Sequence, residues 1–131
     1  MDDTIKKITK SVYDELKHYH SESVYQRAFG LSLQTEPILH SQEVNLNIKY
    51  QGLIVGFCRL DIVIYDNNKL IILEFKAINK LTSKEKDQML KYLNHSATAK
   101  SGYLINFGNK QKYEIIKFEK DNQNNIIQTI L

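Results

Sequence analysis

The sequence predicts an α/β fold, a mixed central β-sheet flanked by helices, with elements ordered roughly ααβββαββ. Three observations carry the prediction. Two helical periodicities open the chain. A long run of strand-like patterning follows, from Val44 to Lys76. A third helical pattern starts at Thr82 and leads into further strand runs. At 131 residues, with 42% hydrophobic and 25% charged residues, the chain is expected to form one domain, 1–131, around one core.

Thr4 is a candidate cap for the first helix. Ile5, Ile8, Val12 and Leu16 recur at three- or four-residue intervals and make its apolar face, with an end expected near Lys17 to His20. Ser21 is a candidate cap for the second helix, and Glu22 falls in its first turn, where the helix dipole favours an acid. Val24, Tyr25, Ala28, Phe29 and Leu33 form the expected buried stripe. Glu36-Pro37 ends this helix, because the residue before proline leaves the helical region. Val44, Leu46, Ile48 and Tyr50 alternate with Glu43, Asn45, Asn47 and Lys49, the pattern of a half-buried strand. Gln51-Gly52 turns it into Leu53 to Tyr65, where Gly56 marks a bulge or a close approach. Asp66-Asn67-Asn68 supplies the next turn. Leu70 to Lys76 is apolar nearly throughout and suits a strand buried on both faces.

Thr82-Ser-Lys-Glu85 is a capping-box pattern. The helix it opens is expected to reach about Ala99, with Gly102 terminating it and Met89, Leu90, Leu93 and Ala97 in its core stripe. Tyr103 to Phe107 reads as a short strand, turned by Gly108-Asn109, and Tyr113 to Phe118 as an edge strand. Asp121 to Asn125 is polar and expected to be mobile. Ile126 to Leu131 is either a last short strand or an adhering tail.

Composition excludes several classes. One proline and five glycines leave no linker, and no internal repeat stands out. No apolar run is long enough to span a membrane, and MDDTIKKITK is not a signal peptide, so no membrane partner is expected. The single cysteine, Cys58, excludes an internal disulfide and a cysteine-based zinc site, and it fits a reducing, cytoplasmic compartment. His18 and His20 lack a third ligand and read as surface or core residues. A net charge of +3 permits a nucleic-acid partner without demanding one.

Three charged residues interrupt the apolar hairpin: Asp61, Glu74 and Lys76. A charge left in a buried sheet costs several kcal/mol, to order of magnitude, unless it is paired or bound to a metal. Side chains alternate along a strand, so Glu74 and Lys76 share a face about 7 Å apart. A hairpin closing at Asp66 to Asn68 sets Asp61 roughly opposite Glu74. Two carboxylates and a strand carbonyl offer hard oxygen ligands for Mg²⁺ or Mn²⁺. A lysine beside them can hold water or a phosphate oxygen, an arrangement for phosphodiester hydrolysis. A buried ion pair without metal is the competing account. Gln88 and Tyr92, at i and i+4, share one helix face and can reach a phosphate or a base. Lys76, Lys80, Lys84, Lys86 and Lys91 cluster in the same stretch, as a solvated face or as phosphate-positioning groups.

Asp61, Glu74-x-Lys76 and Gln88-x-x-x-Tyr92 occur in the order and approximate spacing of the PD-(D/E)XK nuclease superfamily in its RecB-like form, which this chain resembles. Glu22-Ser-Val-Tyr25, Arg59-Leu-Asp61, Leu73-Glu-Phe-Lys-Ala77, Gln88-Met-Leu-Lys-Tyr92-Leu93 and Leu104-Ile-Asn-Phe-Gly108 together resemble the GxxExxY family of small proteins, from the first helix to about Phe118. The resemblance implies a restriction-endonuclease-like fold with the site at the hairpin. It implies metal binding by Asp61, Glu74 and the Phe75 carbonyl, with Mg²⁺ or Mn²⁺ as cofactor. It implies that Lys76 orients water, that Glu22 is an accessory acid, and that Gln88 and Tyr92 complete the pocket. Lys80, Lys84 and Lys91 would contact nucleic acid, with DNA ahead of RNA. The implied activity is a nuclease in DNA repair or processing; the alternative is a non-cutting nucleic-acid-binding or regulatory module. A homodimer or larger assembly would supply specificity to so small a chain. One departure is Tyr19, which stands where the family's name motif has glycine.

Overall fold

Every strand of this protein lies beside its neighbour in sequence. The computed structural model describes residues 1–131. Its elements are α1 (Asp2–Leu16), α2 (Glu22–Thr35), β1 (His40–Tyr50), β2 (Leu53–Asp66), β3 (Lys69–Lys76), α3 (Ser83–His95), β4 (Ala99–Asn106), β5 (Glu114–Lys120) and β6 (Ile126–Ile130). The six strands form one sheet in the order β1-β2-β3-β4-β5-β6. All pairs are antiparallel except β3–β4. A parallel pair needs a crossover, and α3 provides it.

The sheet separates two cores. Ile71, Leu73 and Phe75 of β3 face α1 and α2, where they meet Ile5, Tyr25 and Phe29. Ile72 faces the other way, onto Met89 and Leu93 of α3. This explains the unbroken apolar run of β3: both of its faces are covered. No helix is long and apolar enough to cross a membrane.

The helix boundaries differ from expectation in part. α1 is capped at Met1 and Thr4 lies inside it; Asp2 and Asp3 occupy the first turn. Asp2 also accepts a hydrogen bond from the Tyr103 hydroxyl and sits 3.0 Å from Lys117, which ties α1 to the sheet. α2 follows Ser21 as expected. The Tyr25 hydroxyl donates to the Lys17 carbonyl (2.5 Å) and accepts from the His20 N–H (3.1 Å), so it fastens the bulky link between α1 and α2. Its ring stacks on Phe107 at 4.5 Å. Val24, expected in the buried stripe, points to solvent. At α3 the Glu85 carboxylate accepts from the Thr82 N–H (2.7 Å) and hydroxyl (2.9 Å), closing the capping box. The helix stops at His95 rather than Ala99, because the Ser96 hydroxyl accepts from the Ala99 N–H and turns the chain into β4. Ala97 is therefore exposed, outside the helix. Gly102 does not terminate α3. It lies within β4, where an added Cβ would come within 2.5 Å of Met89 Sδ, so it lets α3 close on the sheet.

The turns are tighter than expected. Asn67 and Asn68 alone close the β2–β3 hairpin, with Asn67 at φ 57°. Asp66 stays in the strand opposite Lys69 and ion-pairs with Lys100. The expected bulge is present beside Gly56: Ile48 pairs with Gly56 and Lys49 with Ile54, leaving Val55 extra. Asp121 to Asn125 is an ordered turn, since the Asp121 carboxylate accepts from the Gln123 and Asn125 N–H groups at 2.9 Å. The final residues form β6.

Candidate active site

β2 serves two partners. Ile62 to Asp66 pair with β3, whereas Leu53 to Leu60 pair with β1 alone. The strands part at Asp61. There Asp61 Oδ2 accepts from the Phe75 N–H at 2.8 Å, so a carboxylate takes the position of the next ladder carbonyl. Continuing the Ile62–Leu73 register sets Asp61 opposite Glu74, as the sequence predicts. Glu74 is 4% exposed. Lys76 Nζ lies 3.5 Å from Glu74 Oε2, while the buried Oε1 has no hydrogen-bond partner.

Burial and the neighbouring Asp61 charge push the Glu74 carboxyl up to about 8, against the opposing pull of Lys76. Burial also raises Asp61, by more than the Phe75 N–H and the Lys76 charge lower it. Burial and mutual repulsion disfavour two full charges on this pair, and a proton held by the pair relieves them. A divalent cation could take that proton's place. The Phe75 carbonyl projects from the same strand edge as its N–H, toward Asp61. No three His, Cys, Asp or Glu side chains are grouped so as to hold a metal ion by themselves. Two carboxylates and a carbonyl suit an oxygen-seeking ion that keeps several waters, as Mg²⁺ does, and do not build a zinc site.

α2 reaches this point through Gln26, a residue the sequence reading missed. Its Nε2 donates to the Asp61 carbonyl (3.3 Å) and to Gln42 Oε1 (3.2 Å). Glu22, one turn earlier, is exposed. The further carboxylate that pushes Asp61 upward is Glu43, across from it on β1 at φ 54°. Tyr92 is buried, and its phenol is raised by burial and then by the Glu74 charge, so it remains a donor beside the acids. Gln88, one turn before it, lines a cleft of about 320 Å³ with Lys76, Lys84, Asp87 and Lys91. Glu85 also borders the cleft, but its carboxylate is engaged by Thr82. Lys80 departs from the expected set: it lines a separate cleft with Lys86 and Lys112. A larger cleft, about 490 Å³, lies away from the acids, and most of its charged groups pair with one another, Asp66 with Lys100 and Asp2 and Glu119 with Lys117.

The acid–acid–lysine set at a strand divergence, with α3 covering it, agrees with a comparison against family models. That comparison matches residues 1–118 to the PD-(D/E)XK nuclease superfamily. The chain belongs to this superfamily. No curated protein matches it.

In this PD-(D/E)XK domain the loop after Lys76 is held by Asn106, which the sequence marks only as part of the Leu104–Gly108 block. Asn106 is fully buried at the end of β4. Its Oδ1 accepts from the Ile78 N–H (3.0 Å) and the Gly108 N–H (3.1 Å). Its Nδ2 donates to the Ile78 carbonyl (2.9 Å) and to Glu114 Oε2 (2.6 Å), which also accepts from the Leu81 N–H. Gly108 completes the joint: a Cβ there would stand 2.2 Å from the Ile78 nitrogen. The path from Lys76 to α3, and so the cleft between them, is set by this network. An Asn inside an apolar strand was the available signal.

Proposed function

We propose that this protein is a metal-dependent nuclease that hydrolyses nucleic-acid phosphodiester bonds, with DNA as the first substrate to test. The observation that supports it most is the unpartnered Oε1 of Glu74, buried beside Asp61 and Lys76. A purely structural ion pair would satisfy both oxygens. Asp61, Glu74 and the Phe75 carbonyl would hold Mg²⁺ or Mn²⁺. Bound there, the ion lowers the pKa of water and neutralises charge developing on the phosphate.

The chain's own residues do the rest. Lys76 orients the attacking water or a phosphate oxygen. Gln88 donates hydrogen bonds from the cleft wall and Tyr92 from its buried place beside the acids. Gln26 fixes the Asp61 backbone, a positioning role, and Glu22, exposed at the start of α2, would be the accessory acid. Lys84 and Lys91 draw the phosphate chain along α3. Membership in the GxxExxY family, with Tyr19 in place of its glycine, and a reducing cellular compartment belong to the same proposal. Replacing both Lys84 and Lys91 with alanine should weaken DNA binding and reduce the slope of log affinity against log salt by roughly 1–2. Gln26→Ala should lower the cleavage rate about tenfold while costing only about 1 kcal/mol of stability, read by steady-state kinetics and urea unfolding.

The deciding experiment incubates the protein with Mg²⁺ or Mn²⁺ and labelled single- and double-stranded DNA and RNA, beside Glu74→Ala. Cleavage by the wild type alone supports the nuclease and shows its substrate class. Binding without cleavage by either would replace it with a non-cutting module.

A further inference from the structure

The sheet has an unpaired first strand. One edge of β1 pairs with β2 and the other with nothing. It is 11 residues long and contains no proline, and past Glu43 at φ 54° its backbone is extended from Val44 to Tyr50. Beyond Asp61 the β1–β2 hairpin projects as an arm past β3. Tyr50, Leu53, Ile54, Val55 and Phe57 on that arm are each at least 61% exposed. Together they present on the order of 500 Å² of apolar surface, at the upper end of what a monomer leaves open. Tyr50 lies on the edge strand itself and the other four on β2, one strand in from the edge; a standard interface takes about 800 Å² from each partner.

The sequence of β1 says what fits there. Glu43-Val-Asn-Leu46-Asn-Ile-Lys49 is chemically palindromic about Leu46. We infer that two copies of this chain pair antiparallel through β1, around a two-fold axis at Leu46. Residues directly opposite in such a pair share a face. Glu43, at the start of the extended stretch, then stands beside Lys49 of the second copy, twice. Val44 meets Ile48, Asn45 meets Asn47, and Leu46 meets itself. Shifting the register by one residue would set the aliphatic residues against asparagines, and shifting it by two would lose both ion pairs. The faces agree with the observed burial: Val44, Leu46 and Ile48 are half-buried, while Asn45 and Asn47 are exposed. Leu46 and Val44 already pack against the α3-side core, which the pairing extends across the axis. The arm's tip reaches the level of Gln42 in the second copy and points on toward Leu39, which is 71% exposed. The two six-stranded sheets become one continuous sheet, an isologous contact that closes on itself.

The test reads mass in solution and does not depend on cleavage. Sedimentation or light scattering at about 50 µM should show a dimer for the wild type. Glu43→Lys and Lys49→Glu should each weaken dimerisation tenfold or more, because each sets like charges face to face. The double variant should restore it. Leu46→Lys, on the axis, should give a monomer with an unchanged far-ultraviolet dichroism spectrum. A monomeric wild type would overturn the inference and leave the arm to a different partner. A dimer indifferent to all four variants would overturn it in favour of another interface.

Discussion

Replacing Glu74 with glutamine is expected to abolish cleavage and to raise the melting temperature at and above pH 8. The two effects have one cause. Glu74 is held near its neutral form, with its carboxyl pushed from 4.5 to about 8 by burial and by Asp61. Between those values the native state binds more protons than the unfolded chain, so stability falls as pH rises through the interval. Above about 8 the full penalty is present, roughly 2–4 kcal/mol for a shift of this size after allowance for coupling. Glutamine keeps the shape, removes the charge and should flatten that slope. Mg²⁺ should flatten it in the wild type as well, because it takes the place of the shared proton, and its affinity should rise with pH up to about 8. Calorimetric melts of both proteins from pH 5 to 9, with and without Mg²⁺, measure this directly. If Glu74 served only to pair with Lys76, the change would instead strand a buried ammonium and lower stability by about 3–5 kcal/mol. The sign of the change separates the metal ligand from the ion pair.

Asn106→Ala should produce the largest loss of stability among single polar substitutions, about 3–5 kcal/mol. It deprives the Ile78 N–H, the Ile78 carbonyl, the Gly108 N–H and the Glu114 carboxylate of a partner at once. Urea unfolding measures the loss. Hydrogen exchange should show Ile78 and Gly108 losing protection well before β3 does. Asn106→Asp keeps the acceptor but brings a second carboxylate to Glu114, so it should be tolerated better near pH 4 than at pH 7.

The elements and the central site residues were legible where the chain broke its own pattern. Asp61, Glu74 and Lys76 stand out because charges rarely interrupt an apolar hairpin, and Asn67-Asn68 fixes the register that brings the acids opposite each other. Gln26 and Glu43 were not legible, because a polar residue on a helix surface or an edge strand carries no signal until its neighbours are known. Lys80 was grouped with Lys84 and Lys91 by sequence proximity, yet it precedes the helix and faces another cleft. The end of α3 was misplaced because Ala97 suits a helix, whereas the Ser96 side chain decides the turn. Gly102 read as a stop signal when its missing side chain makes room for Met89.

A sheet whose strands lie in chain order can be extended as the polypeptide emerges from the ribosome, each new strand docking on the one before it. The N-terminal helix has no such luxury. Asp2 is held by Tyr103 and Lys117, and Tyr13 donates to the Asn109 carbonyl. α1 is made before the sheet, and although α2 and β3 can receive its apolar face, its polar anchors are complete only once β4 and β5 exist. Until then its docking on the sheet lacks those hydrogen bonds and ion pairs. Slow or interrupted translation between α3 and β5 is therefore the interval in which a nascent chain of this protein is most exposed to aggregation and to chaperone capture.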